Sequence, residues 1–228
     1  MKKHKIFIAC DTTRTKRVRD ILAQTKTSKI HFGYKFGLEF INSKNGRQFL
    51  SKLKKKIIFL DLKLNDIPNT CMSTIKAVED LKANYITIHI SSGLEALRAA
   101  KSVSGKTKIV GVTTLTSLND KSLREIGYDK KLKSLIMHQA KLASIAKLDA
   151  LVCSAKEAEF VKKIFKKEII TPGIRFSSNK NDQKRVTTPA EAYKNGSNWL
   201  VIGRPITNGN IKKNLQILIN HLNYDQRL

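Results

Sequence analysis

The 228 residues are enough for one large domain, and 41% of them are hydrophobic, which allows a sizeable core; no apolar run approaches the roughly 20 residues of a membrane span. A formal net charge of +26 attracts polyanions and raises nucleic acid as a partner. Only ten of the 44 basic residues are arginine, however, and the lysines are scattered without interleaved aromatics, so a base-stacking surface is not expected. Cys10, Cys71 and Cys153 are odd in number, far apart and without Cys-x-x-Cys spacing; they indicate neither a disulfide framework nor a zinc site and fit a reducing cytoplasm.

Along the chain two periodicities alternate. The N-terminus is basic, but its apolar stretch is short and runs into Asp11; it reads as a first strand, Lys5–Asp11, not as a signal peptide. Val18, Ile21 and Leu22, three and four apart, mark a helix after it. Strands are expected at His31–Gly37 and Ile57–Lys63, then a helix through Ile75, Val78 and Leu81. Further strands are expected at Tyr85–Ile90 and Lys108–Leu115, followed by a helix through Leu135, Ala140 and Leu142. Ala150–Ser154, Glu168–Ile174 and Trp199–Arg204 complete the strands, and Ile211, Leu215, Leu218, Ile219 and Leu222 mark the last helix. Phe176–Lys184 is the one long polar loop and a candidate lid.

Most of these strands are apolar until their last residues, as strands covered on both faces are. Eight of them, each followed by a helix, are the count for a single (β/α)8 barrel over residues 1–228. A doubly wound open sheet is the alternative, but no Gly-x-Gly-x-x-Gly follows the first strand.

The polar residues cluster at the C-terminal strand ends: Asp11, Lys35, Asp61, Lys63 and Asp66, His89, Thr116, Ser154, Pro172-Gly173-Ile174-Arg175 and Gly203-Arg204-Pro205. A barrel brings all these ends to the face where barrel enzymes do their chemistry. Asp61 and Lys63, two apart on a strand, point to the same side, with Asp66 on the loop beyond and Lys35 on the neighbouring strand. An alternating lysine and aspartate network can aim a fixed field at one substrate atom and deliver a proton there. A purely structural salt-bridge network is the competing reading, though buried charges are a poor route to stability. Gly203 permits close backbone approach and Arg204 can grip oxygens in a fork, with Arg175 as a second grip, so the far end suits a phosphate.

At these residues a family resemblance enters. Asp61-Leu-Lys63-Leu-Asn-Asp66-Ile67-Pro68-Asn69-Thr70 resembles the Asp-x-Lys-x-x-Asp-Ile-Pro-Asn-Thr signature of bacterial orotidine 5′-phosphate decarboxylases. Ala9-Cys10-Asp11, Lys35-Phe36-Gly37, Leu115-Thr116-Ser117, Val152-Cys153-Ser154, Thr171–Arg175, Asp182–Arg185 and Val201–Thr207 follow in that family's order. The resemblance implies conversion of orotidine 5′-phosphate to uridine 5′-phosphate (UMP) without metal or organic cofactor. It implies that Asp11 and Lys35 hold the ribose, that Asp61 sits against the substrate carboxylate and that Lys63 protonates C6. Asp66, Ile67 and Thr70 would enter a partner's site in a homodimer, and Thr116 would face the ribose region there. Ser154 would bond the pyrimidine ring, beside Pro172, and Arg175, Gln183, Gly203 and Arg204 would grip the phosphate. The sequence departs from the pattern at Asn65, where relatives commonly have His, and in the lid, which lacks a Gly before Asp182-Gln183. His89 matches a family position and reads as a packing or interface residue rather than a substrate contact.

Without an electron sink, a C6 carbanion needs electrostatic stabilisation, which a nearby lysine gives first as a cation and then as an acid. Remote phosphate binding can close the lid and organise the charges. Magnesium-dependent sugar-phosphate lyases of the same superfamily, which reuse Asp-x-Lys-x-x-Asp, are the nearest alternative; an RNA-binding barrel and an inactive interaction protein are the others.

Overall fold

The structure, a computed structural model, describes residues 3–176 and 187–224. Its elements run β1 (His4–Ala9), α1 (Thr15–Gln24), β2 (Ile30–Gly37), α2 (Leu38–Ile41), α3 (Gly46–Ser51), β3 (Ile57–Leu64), α4 (Pro68–Ala77), β4 (Tyr85–His89), α5 (Gly93–Ser102), β5 (Lys108–Val112), α6 (Asp120–Glu125), α7 (Leu132–Ile145), β6 (Ala150–Val152), α8 (Ala155–Ile164), β7 (Glu168–Thr171), α9 (Pro189–Lys194), β8 (Trp199–Ile202), α10 (Arg204–Thr207) and α11 (Ile211–Tyr224). The eight strands pair in sequence order, every pair parallel, and β8 closes on β1. This is the (β/α)8 barrel and not the open sheet.

Strand alternation sorts the core into two shells. One parity faces the helices, where Ile6, Ile8, Phe36, Ile58, Leu60 and Ile202 meet Val18, Ile21, Leu218 and Leu222. On the opposite side Ile109, Leu151 and Ile169 meet Ile136, Ala140 and Val161. The other parity fills the barrel with Phe7, Phe59, Tyr85, Val110, Ala150, Ile170 and Trp199. Phe7 stacks on Trp199 with ring centroids 4.1 Å apart, and Phe59 and Tyr85 pack on it at 4.9 and 5.2 Å. Each such ring stabilises the fold by roughly 2–3 kcal/mol through burial. Gly33 makes the room, since a Cβ there would lie 2.5 Å from the Phe7 ring.

Several strands end earlier than the sequence predicts. Asp11, Leu115, Ser154 and Arg204 lie beyond the strand residues, and Ile174 pairs with Thr187 in an isolated bridge instead of continuing the barrel ladder. Ser154 precedes α8 and its N–H donates to the Glu157 carboxylate at 2.9 Å; Gly203 precedes α10, whose second residue, Pro205, has no N–H to offer a ladder. No helix among the described residues is long and apolar enough to cross a membrane.

Candidate active site

The parity that puts Phe7, Phe59, Tyr85 and Trp199 on the barrel floor continues upward. Two residues on, it presents Ala9 and Asp11 from β1 and its loop, Lys35 from β2, Asp61 from β3 and Thr87 from β4. Val112, Val152, Ser154, Pro172, Val201 and Gly203 follow the same rule on the remaining strands and their ends. The C-terminal mouth is therefore half charged and half apolar by construction.

The charged half is a chain of contacts. Lys35 Nζ donates to Asp11 Oδ1 at 3.1 Å and lies 3.4 Å from Asp61 Oδ2; Lys63 Nζ donates to the same Asp61 oxygen at 2.7 Å. Thr87 Oγ1 donates to the other oxygen, Asp61 Oδ1, at 3.1 Å. The side chains of Lys35 and Asp61 are only 13% and 12% exposed, against 37% for Lys63. Burial pushes the Asp61 carboxyl up, but Lys35 and Lys63, with hydrogen bonds from Lys63 and Thr87, more than reverse this and hold it below its ordinary value. Burial likewise pulls Lys35 down, and Asp61 and Asp11 more than restore it, leaving its ammonium above its ordinary value. Both groups are thus held in their charged forms. His89, at the end of β4, is pushed down by burial and by the Lys63 cation, with Asp61 acting against them. Burial raises the neighbouring Cys10 thiol to about 12, which removes it as a nucleophile.

Over this chain lies a cavity of about 170 Å³ bounded by Lys35, Asp61 and Lys63 on one side and by Val112, Val152, Pro172 and Val201 on the other, with Phe59 as its floor and Thr114, Leu115 and Thr116 at its edge. A larger and more open cleft of about 480 Å³ lies between α1 and α3, lined by Thr15, Arg19, Phe49 and Lys52. It contains no carboxylate, so the convergence of opposite charges singles out the smaller cavity. Ser154 Oγ is buried at the start of α8, in a capping box with Glu157, and has no hydrogen-bond partner beyond it among the described residues. Gly203 packs against β1: a Cβ there would be 3.3 Å from Ala9 Cβ and 3.7 Å from Asp11 Oδ2. Arg204 follows it at the exposed rim, and Arg175 Nη1 donates to the Ile174 carbonyl.

Lys35, Asp61, Lys63, Thr116 and Pro172 therefore line one cavity; Thr116, expected to face a partner's site, lies at the cavity of its own chain. Within one chain the fourth member of the network is Asp11, not Asp66. Asp66 is exposed and among the described residues makes no ion pair; its Oδ1 accepts the Ile67 N–H at 2.8 Å, and its carbonyl accepts from Cys71 Sγ at 3.3 Å. Ile67 is 66% exposed and Thr70 is exposed beside it. Gln183 and lid positions 177–184 lie outside the described residues. Asn65 accepts from the Ser91 and Ser92 hydroxyls at 3.2 and 3.1 Å.

Three features escape the sequence reading. Thr87 contacts Asp61 from the middle of an apolar strand. Val112, Val152 and Val201 form the apolar wall; their alternation with outward residues could have located them. Gln139 of α7, buried, accepts the Thr114 N–H and hydroxyl at 2.8 and 3.1 Å and braces the edge of the cavity.

The sequence model of the "Orotidine 5'-phosphate decarboxylase / HUMPS family" matches residues 4–214. The orotidine 5′-phosphate decarboxylase of Wolbachia sp. subsp. Brugia malayi is 42% identical over 204 residues, covering 87% of this chain and 90% of the relative. The Ehrlichia chaffeensis enzyme of the same name is 46% identical over 180 residues, covering 76% and 78%. The crystal structure of orotidine 5′-phosphate decarboxylase from Lactobacillus acidophilus superposes with a TM-score of 0.83 at 28% identity, over 97% of this chain and 100% of that one. The chain belongs to the orotidine 5′-phosphate decarboxylase / HUMPS family.

Proposed function

We propose that this barrel decarboxylates orotidine 5′-phosphate to UMP and carbon dioxide, without a metal or an organic cofactor. The observation that carries the reading is the Asp11–Lys35–Asp61–Lys63 chain set against the apolar wall of a cavity. The substrate carboxylate points at Asp61, whose own charge opposes it. As the C6–carboxylate bond breaks, its electron pair stays on C6. The Lys63 ammonium first stabilises that charge and then delivers a proton to C6, and Lys63 regains its proton from solvent. Both oxygens of Asp61 are already taken by ammonium groups and a hydroxyl, an arrangement that serves a fixed electrostatic role and leaves little for metal ligation.

The remaining roles follow the family resemblance. Asp11 and Lys35 hold the ribose, and Thr116 and Pro172 border the nucleoside. Ser154, whose buried hydroxyl has no partner beyond its capping box with Glu157, bonds the pyrimidine ring. Gly203 lets the phosphate approach the backbone, with Arg204 and Arg175 as its cations, and the +26 charge draws the anion in. The active unit is a homodimer, with exposed Asp66, Ile67 and Thr70 entering the partner's site. Three free, buried cysteines fit a cytoplasmic enzyme.

The test is direct. Purified protein in EDTA should consume orotidine 5′-phosphate, followed by loss of the orotate absorbance, and Lys63→Ala should abolish turnover while UMP binding stays measurable. Turnover that disappears with EDTA would overturn the metal-free part. Near-wild-type turnover by Lys63→Ala would overturn the assignment of the proton donor.

A further inference from the structure

The register between β3 and β4 contains an irregularity. Leu60 pairs with Ile86 and Leu64 pairs with Ile88, so Asp61, Leu62 and Lys63 together face the single residue Thr87. Extra residues in one strand leave ladder groups unpaired and bend the chain. Lys63 absorbs the bend with φ +49°, in the left-handed region, which is costly for any residue with a Cβ. That conformation, and not simple strand alternation, returns the Lys63 ammonium to the side of Asp61.

Thr87 is fully buried and meets both halves of the irregularity. The Lys63 N–H donates to Thr87 Oγ1 at 2.8 Å, and Thr87 Oγ1 lies 3.1 Å from Asp61 Oδ1. A hydroxyl has one proton. Because the backbone N–H must use an acceptor lone pair, that proton is directed at the carboxylate. One hydroxyl therefore ties the displaced backbone of Lys63 to the carboxylate of Asp61 and leaves Oδ2 for the two lysines.

We infer that Thr87 is a positioning residue for the decarboxylation, locking the Lys63 backbone and the Asp61 carboxylate into one rigid unit so that the ammonium is held at the reacting carbon. The inference rests on the function proposed above. Lys35 from β2, Asp11 beyond β1 and His89 from β4 are the other charged or titratable groups around this unit; none of them contacts the Lys63 backbone in the described hydrogen bonds.

The experiment compares Thr87→Val, which keeps the shape and removes the hydroxyl, with Thr87→Ser, which keeps the hydroxyl. Initial rates on orotidine 5′-phosphate and UMP affinity are measured for both and for wild type. Thr87→Val should lose about 10–100-fold in kcat, the scale of a lost hydrogen bond to a charged group. Its KM and UMP affinity should stay within about threefold, because the binding contacts lie elsewhere. Thr87→Ser should return kcat to within about threefold of wild type. A purely structural role would lower both variants together or raise KM, and either outcome overturns the inference, as does wild-type kcat in Thr87→Val. If Thr87→Val does not fold, Thr87→Ala replaces it: it differs from Thr87→Ser by the hydroxyl alone, and equal kcat for those two would overturn the inference. Wild-type protein without turnover would sink the functional reading and this inference with it; wild-type turnover unaffected by Thr87→Val would sink this inference alone.

Discussion

The barrel holds a carboxylate between two lysines at each of its mouths, and the two sites differ in what surrounds them. At the N-terminal mouth Glu168 lies 2.9 Å from Lys108 and 3.9 Å from Lys5, and the Tyr85 hydroxyl donates to it at 3.0 Å. At the C-terminal mouth Asp61 lies 2.7 Å from Lys63 and 3.4 Å from Lys35, and the Thr87 hydroxyl donates to it. The charge pattern is alike, yet Lys108, 43% exposed, and Glu168, 22% exposed, sit toward solvent on the far side of the aromatic floor from the cavity. Asp61 and Lys35 are held out of water with an open cavity beside them. Burial makes a charge strong, and the cavity gives it something to act on. A string of aspartates and lysines acquires chemistry from this context alone.

Removing one lysine from each site tests that contrast, and the largest effect belongs to Lys35→Met. It leaves Asp61 buried with a single cation, so stability should fall by about 2 kcal/mol or more and kcat by on the order of 10²–10³-fold. The pH dependence has a fixed sign. Asp61, held low, contributes stability above the ordinary aspartate range and loses it as pH falls through its folded value; Lys35, held high, contributes below the ordinary lysine range and loses it as pH rises through its folded value. The gap in melting temperature between wild type and Lys35→Met should be widest near neutrality and narrow as the pH drops through the aspartate range. A gap that widens toward acid would contradict the burial account.

A second test asks whether the C-terminal site is complete in one chain. Asp66 stands outside the network of its own chain. Lys63→Ala and Asp66→Asn proteins, each nearly inactive alone, should regain about a quarter of wild-type activity when equal amounts exchange subunits. In the proposed homodimer, half the dimers would then be mixed, each with one intact site of two. No regain under confirmed exchange would confine Asp66 to its own subunit.

The contrast between the mouths also marks what was legible in the sequence. The β-branched runs and lysine-faced helices disclose the barrel because burial writes hydrophobic periodicity into every element. Lys35 and Asp61 are legible because strand parity and barrel closure bring them together, whereas Asp11 enters the charge network only through the family resemblance and Asp66, expected in it, stands outside it within one chain. The register slip opposite Thr87 is not legible, since pairing is a property of two strands and Thr87 alone reads as an ordinary β-branched strand residue. For the same reason the left-handed turn at Lys63 is hidden: the rule that residues two apart share a face gives the right outcome by a route the backbone does not take. Glu168 and its lysines are equally hidden as a pair site, since Lys5, Lys108 and Glu168 come from three strands and sit among many exposed lysines.

The smallest expected effect closes the comparison. Lys108→Met removes the nearer cation from Glu168 and a contact to the Tyr85 hydroxyl at 3.3 Å. Because Lys108 is 43% exposed, though Glu168 only 22%, water replaces part of what is lost, and stability should change by about 1 kcal/mol or less. The aromatic floor stands between this mouth and the cavity, and its rings are fully packed. Turnover should therefore stay within about twofold of wild type. A loss in Lys108→Met approaching that of Lys35→Met would mean that charge is transmitted through the floor, and the two mouths would then be one electrostatic unit instead of a structural end and a chemical one.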